Sequence, residues 1–182
     1  PEFWDQAPDA IIFLLKHAEL DEVHVFANAI WQANPSFAKE LTVADVVAFI
    51  RSFHPDTKRL GLEMVESLWN EKEPNFELLE ALILCDLEEA IEIGFRLLST
   101  VVNDALKQPE FLASVFLSDR GLVHERLRGL FVGKSLPALF VEMARFLPAA
   151  EDRENSAQLA VASYNLLGNK HSASIVGESE LT

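Results

Sequence analysis

"DVVAFIRSFHPDTKRLGLEMVESLW", from Asp45 to Trp69, holds two apolar stretches hinged at His54-Pro55. In the first, Val46, Val47, Phe49, Ile50 and Phe53 fall at i, i+1, i+3, i+4 and i+7, which is one face of a helix. Thr42-Val-Ala-Asp45 has the form of a capping box, in which hydroxyl and carboxylate satisfy each other's backbone N–H. Pro55 suits the first turn of a second helix, where its missing N–H costs nothing. The stretch reads as helix, short turn, helix. No segment shows sustained strand-like alternation between turn signals, so the chain reads as all-α.

The same unit recurs. Asp9-Ala-Ile-Ile-Phe-Leu, Asp45-Val-Val-Ala-Phe-Ile, Glu77-Leu-Leu-Glu-Ala-Leu and Glu110-Phe-Leu-Ala-Ser-Val each open on an acid and run into apolar helix. Their intervals are 36 (45−9), 32 (77−45) and 33 (110−77) residues. An acid at that point favours the positive end of the helix dipole. Leu60-Gly61-Leu62 and Ile93-Gly94-Phe95 align at 33 (93−60), and both "AIWQANP" and "SLWNEKEP" end a helix with Trp and then Pro. A glycine inside a helix costs about 1 kcal/mol against alanine, so Gly61 and Gly94 mark close helix approach. A fifth, degenerate unit is expected near 138–147 and 155–167. A period of this length, with each unit a helical hairpin, is the signature of an α-solenoid.

Units such as "AFIRSFHPDTKRLGLEMVESL" resemble HEAT or armadillo-type repeats: an apolar helix, a His/Pro/Asp turn, a second helix. The resemblance covers Asp9–Leu167 and is loose. It implies a right-handed α-α superhelix of about five antiparallel hairpins, whose second helices line a concave, partner-binding surface. It brings no catalytic residues. The domain expectation is a vector-derived remnant at 1–3, the repeat domain at 4–167 and a polar tail at 168–182.

The second helices suggest where a partner would sit. In Glu88–Asn103 the polar positions Glu88, Glu92, Arg96 and Ser99 make one narrow stripe in an otherwise apolar circumference. Arg59, Glu63, Glu66 and Asn70 do the same in the preceding second helix, and His24, Asn28 and Gln32 in the one before. Stacked, these stripes form a polar surface of mixed sign. The candidate partner-binding residues are Asn28, Arg59, Glu63, Glu66, Glu88, Glu92 and Arg96.

Charge narrows the partner. The net charge is −14 and the isoelectric point near 4.7, which opposes phosphate backbones and anionic membranes. Basic clusters at Arg51/Lys58/Arg59 and at Arg120/Arg126/Arg128/Lys134 are interrupted by acids. From Glu71 to Glu92 the acids face only Lys72, which suits a solvated face that keeps the protein soluble first, and a dock for a partner with a basic segment second. No apolar run is long enough to span a bilayer. A single cysteine, Cys85, excludes an internal disulfide framework and leans to a reducing compartment, cytoplasmic or nuclear.

Catalytic patterns fail one by one. "GLFVGKS" (Gly129–Ser135) has three residues, where a phosphate loop needs four, between its first glycine and Gly-Lys. The five histidines show no metal-ligand spacing, and no Gly-x-Ser-x-Gly elbow is present. Cys85 lies in an apolar run beside Asp86, which suits a core residue and not a nucleophile. Trp31 and Trp69 read as repeat-core or edge residues. The expectation is a non-catalytic, protein-binding scaffold or adaptor without cofactor or metal. Two other readings stand beside it: a HEAT-like nucleic-acid or DNA glycosylase-type protein, which the charge opposes, and a self-associating structural segment of a longer solenoid. The latter draws on the apolar segments around Phe111–Leu117 and Leu136–Phe146.

Overall fold

The computed structural model describes residues 3–116, 118 and 121–131. Among these residues every regular element is helical and there is no strand. The helices are α1 (Pro8–His17), α2 (Asp21–Ala33), α3 (Val43–Ile50), α4 (Pro55–Leu68), α5 (Phe76–Ile83), α6 (Glu88–Thr100), α7 (Val102–Ala105), α8 (Pro109–Phe116) and α9 (Gly121–Phe131). A 3-10 turn, Pro35–Glu40, joins α2 to α3. The expected fifth unit and the 168–182 tail lie outside the described residues, as does most of Gly129–Ser135.

The acids that open each repeat in the sequence sit in the first turns of α1, α3, α5 and α8. Two of those helices also carry side-chain caps. Thr42 and Asp45 close the capping box in both directions at α3, and Asn75 Oδ1 accepts the Leu78 N–H at α5, 2.8 Å. Pro55 occupies the first turn of α4.

The chain divides into two compact units, Pro1–Ala90 and Ile91–Thr182. In the first, α3 is central: it packs on α4, with which it forms a hairpin, and on α1 and α5. Likewise α2 packs on α1 and α4. Within this unit α1, α3 and α5 thus pack in a row, and α2 and α4 pack beside one another. Phe49, Ile50, Leu78, Leu79, Leu82 and Ile83 are sealed from solvent in this core. Each contributes about 1.5–3 kcal/mol relative to exposure. Gly61 lets α3 and α4 meet closely: a Cβ there would lie 3.0 Å from Phe49 Cβ and from Ile50 Cγ1. In the second unit α8 packs on α7 and α9, with the Phe116 and Phe131 rings 6.0 Å apart.

One part of the opening stretch departs from its pattern. Phe53, expected on the buried face of α3, is 95 % exposed because the helix ends at Ile50. Two local causes end it. The residue before a proline is driven out of the α region, and His54 has ψ 118°. Ser52 Oγ accepts the His54 N–H at 3.2 Å, closing a turn in place of another helical bond.

Lys16 Nζ meets Asp45 Oδ1 at 2.7 Å, tying α1 to the cap of α3. Burial raises the Asp45 carboxyl, but the bonds from Lys16 and Thr42 outweigh it and hold it below the ordinary value. A lowered folded pKa gives stability that is fully present above the unfolded carboxylate pKa and is lost as pH falls through the folded one. Asp45→Asn is therefore expected to cost about 1–2 kcal/mol at neutral pH. In denaturant titrations the variant and the parent should converge in acid, below the lowered Asp45 pKa. A cost that stays constant into acid would show that the charge is irrelevant.

Candidate functional site

The polar stripe of α2 does not simply face solvent. His24 is 3 % exposed and Asn28 8 %, because the stripe turns toward α4. Thr57, fully buried in the first turn of α4, binds both: its Oγ1 lies 2.8 Å from His24 Nδ1 and 3.3 Å from Asn28 Nδ2. The proton positions follow from chemistry. His24 Nε2 is 2.9 Å from the Ala18 carbonyl, which only accepts, so the ring carries its proton on Nε2. Nδ1 then accepts from the Thr57 hydroxyl, whose oxygen in turn accepts from Asn28. The second Asn28 amide contact, to the His24 carbonyl at 3.0 Å, fixes the NH₂ on that side and turns Oδ1 the other way.

Beside this network His54 stacks on His24, ring centroids 3.4 Å apart, and its Nδ1 reaches Asp21 Oδ1 at 2.8 Å. His24–Thr57 and Asp21–His54 both span 33 residues (57−24 and 54−21). The N-terminal parts of α2 and α4 are thus bonded to one another.

In front of the network α2, the Pro35–Glu40 turn and α4 enclose a cleft of about 350 Å³. Trp31, Leu60 and Met64 supply apolar lining. Asn28 and Gln32 line it from α2, one helical turn apart, and Asp56, Arg59 and Glu63 from α4. Arg59 Nη1 is 3.5 Å from Asp56, so these two charges offset one another. Glu63 is exposed and has no ion-pair partner among the described residues.

Of the seven residues chosen from sequence, the cleft gathers Asn28, Arg59 and Glu63. Glu66 is exposed on α4, and Glu88, Glu92 and Arg96 are exposed on α6, the last two in the second unit. Glu92 is already engaged: Arg126 bonds it, holds its carboxyl below the ordinary value, and lies over the Phe95 ring at 5.7 Å. The Arg126 charge in the basic cluster near α9 is thereby offset. Sequence reading missed His24 and Thr57 as a bonded pair, though their separation of one period was a usable signal. It also missed Pro35 and Ala38, which line the cleft from the turn between α2 and α3.

Cys85 is buried, and burial, with a smaller effect from Asp86, pushes its thiol up, so the thiolate is disfavoured. Among the described residues no His, Cys, Asp and Glu cluster has the arrangement to hold a metal ion, and no helix is long and apolar enough to cross a membrane. The chain matches no protein-family profile, no curated protein and no solved structure.

Proposed function

We propose that the chain is a non-catalytic interaction module of HEAT/armadillo type, a right-handed superhelix that holds a protein partner on the face of its second helices. The observation that carries this reading is the cleft between the consecutive second helices α2 and α4. It brings Asn28, Arg59 and Glu63 together and leaves the Glu63 carboxylate uncompensated. A basic segment of the partner docks there, and the charges mainly set orientation and on-rate. Glu66 and Glu88 are further contact candidates in the first unit, and Glu92 and Arg96 in the second, with Glu92 competing between Arg126 and the partner.

Glu63→Lys is the clean test, because Glu63 is exposed and pairs with nothing among the described residues that the change would strand. Partner captured from source lysate is expected to bind the variant about tenfold more weakly, with thermal stability unchanged. The wild-type complex should dissociate in high salt. Equal affinity for both proteins would remove the cleft from the binding face.

Exposed apolar side chains favour a second reading, self-association. Phe13, Leu20 and Val25 on the first hairpin and Phe53 on the α3–α4 turn are all more than half exposed. Concentration-dependent sedimentation supports that reading, and a strict monomer counts against it.

A further inference from the structure

We infer that the α2–α4 cleft is a socket for one arginine side chain of the protein partner. This rests on the reading of the second-helix face as the binding face and adds what that face recognises. Size speaks first. At about 350 Å³ the cleft is at the low end of ligand sites, which run from about 300 to 1,000 Å³. It has room for a single long side chain and not for a helix.

Its chemistry is that of an acceptor site with an apolar wall. Asn28 is more than nine-tenths buried, and both contacts of its NH₂ are made behind the cleft, to Thr57 and to the His24 carbonyl. Its Oδ1 accepts no hydrogen bond among the described residues, is not sealed from solvent, and belongs to a side chain that lines the cleft. A carbonyl oxygen so placed takes its donor from whatever fills the cleft. Glu63 supplies a carboxylate and Gln32 a second amide on the same cleft. Because Arg59 and Asp56 offset each other, the uncompensated charge is the single negative one of Glu63. Trp31, Leu60 and Met64 cover the methylene stem that a long cationic side chain carries behind its head.

Arginine fits these acceptors better than lysine. They come from two helices, and a planar guanidinium offers five donors in a fixed fork that reaches several acceptors at once. An ammonium is a compact point charge that surrenders its water reluctantly.

The test titrates the full chain with N-acetyl-arginine amide, using the blocked citrulline and lysine analogues as controls. The readouts are the side-chain amide resonances of Asn28 and Gln32 and the Trp31 indole resonance. The arginine probe is expected to shift these three saturably in the millimolar range. Uncharged, isosteric citrulline should bind about tenfold more weakly, and Glu63→Gln should weaken arginine by a similar factor. Equal binding of arginine and citrulline, an unchanged affinity in Glu63→Gln, or shifts that bypass these three groups would overturn the inference. Equal binding of lysine would overturn the choice of guanidinium. The two readings fail separately. If Glu63→Lys loosens the captured partner while the arginine probe leaves the cleft resonances still, the binding face stands and the socket falls. If the probe seats in the cleft while Glu63→Lys leaves the partner unaffected, the socket stands and the proposed docking of the partner falls.

Discussion

Leucine in place of Gly61 is expected to destabilise the first unit by about 3 kcal/mol, measured by chemical denaturation. The reason is the contact between α3 and α4. A Cβ at Gly61 would stand 3.0 Å from Phe49 Cβ, 3.0 Å from Ile50 Cγ1 and 3.2 Å from the Ile50 backbone nitrogen. Ile50 Cγ1 can move by rotation, but the other two atoms move only if α3 itself moves. Alanine at the same position sets two effects against each other. Helix propensity favours it by about 1 kcal/mol, while the enforced separation of two packed helices costs more than that in a close-packed core. The net expectation for Gly61→Ala is a loss of about 1 kcal/mol. Gly129 in α9 provides the control, since nothing lies within 4 Å of its would-be Cβ. Gly129→Ala should gain about 1 kcal/mol from propensity alone. If both alanine variants stabilise, close approach is not what selects glycine at Gly61.

That close approach was readable in advance. A glycine inside a helix weakens it, so a glycine recurring at the same point of two similar stretches signals that a neighbouring helix needs the space of the missing Cβ, as α3 does at Gly61. Gly94, the counterpart of Gly61 in α6, is also buried. The helix starts were readable for a similar reason: an acid, a cap and an apolar period agree locally at α3, where Thr42, Asp45 and Val46 all point the same way. Phe53 shows where such agreement ends. The apolar period continued through it, but the proline two residues on and the Ser52 turn outweighed the pattern. The candidate site was less legible. A helical wheel counts His24 and Asn28 as polar and hence outward, whereas burial depends on whether a partner group stands opposite. That partner, Thr57, is on another helix 33 residues away. The cleft depends on Pro35 and Ala38 as well, residues of a 3-10 turn whose position periodicity does not determine.

Thr57→Val is expected to cost about 2–3 kcal/mol, although it leaves almost no change in volume. Thr57 is wholly buried, so water cannot replace what its hydroxyl supplies. Without it His24 Nδ1 becomes a buried acceptor without a donor, and the Asn28 amide keeps only its bond to the His24 carbonyl. Stranding buried partners costs their desolvation, which exceeds the net worth of the bonds themselves. Thr57→Ser, which keeps the hydroxyl and gives up a methyl group, should cost about 1 kcal/mol. A double-mutant cycle with His24→Leu separates network from packing. Once the imidazole is absent, losing the hydroxyl strands only the Asn28 donor, so the double variant should be clearly less destabilised than the sum of the singles. Additive losses would mean that the three groups are neighbours without being coupled. Thr57 also holds the Asn28 amide in the orientation that presents Oδ1 to the cleft. Thr57→Val should therefore weaken the arginine probe while Thr57→Ser spares it, a distinction that a purely structural role for Thr57 would not produce.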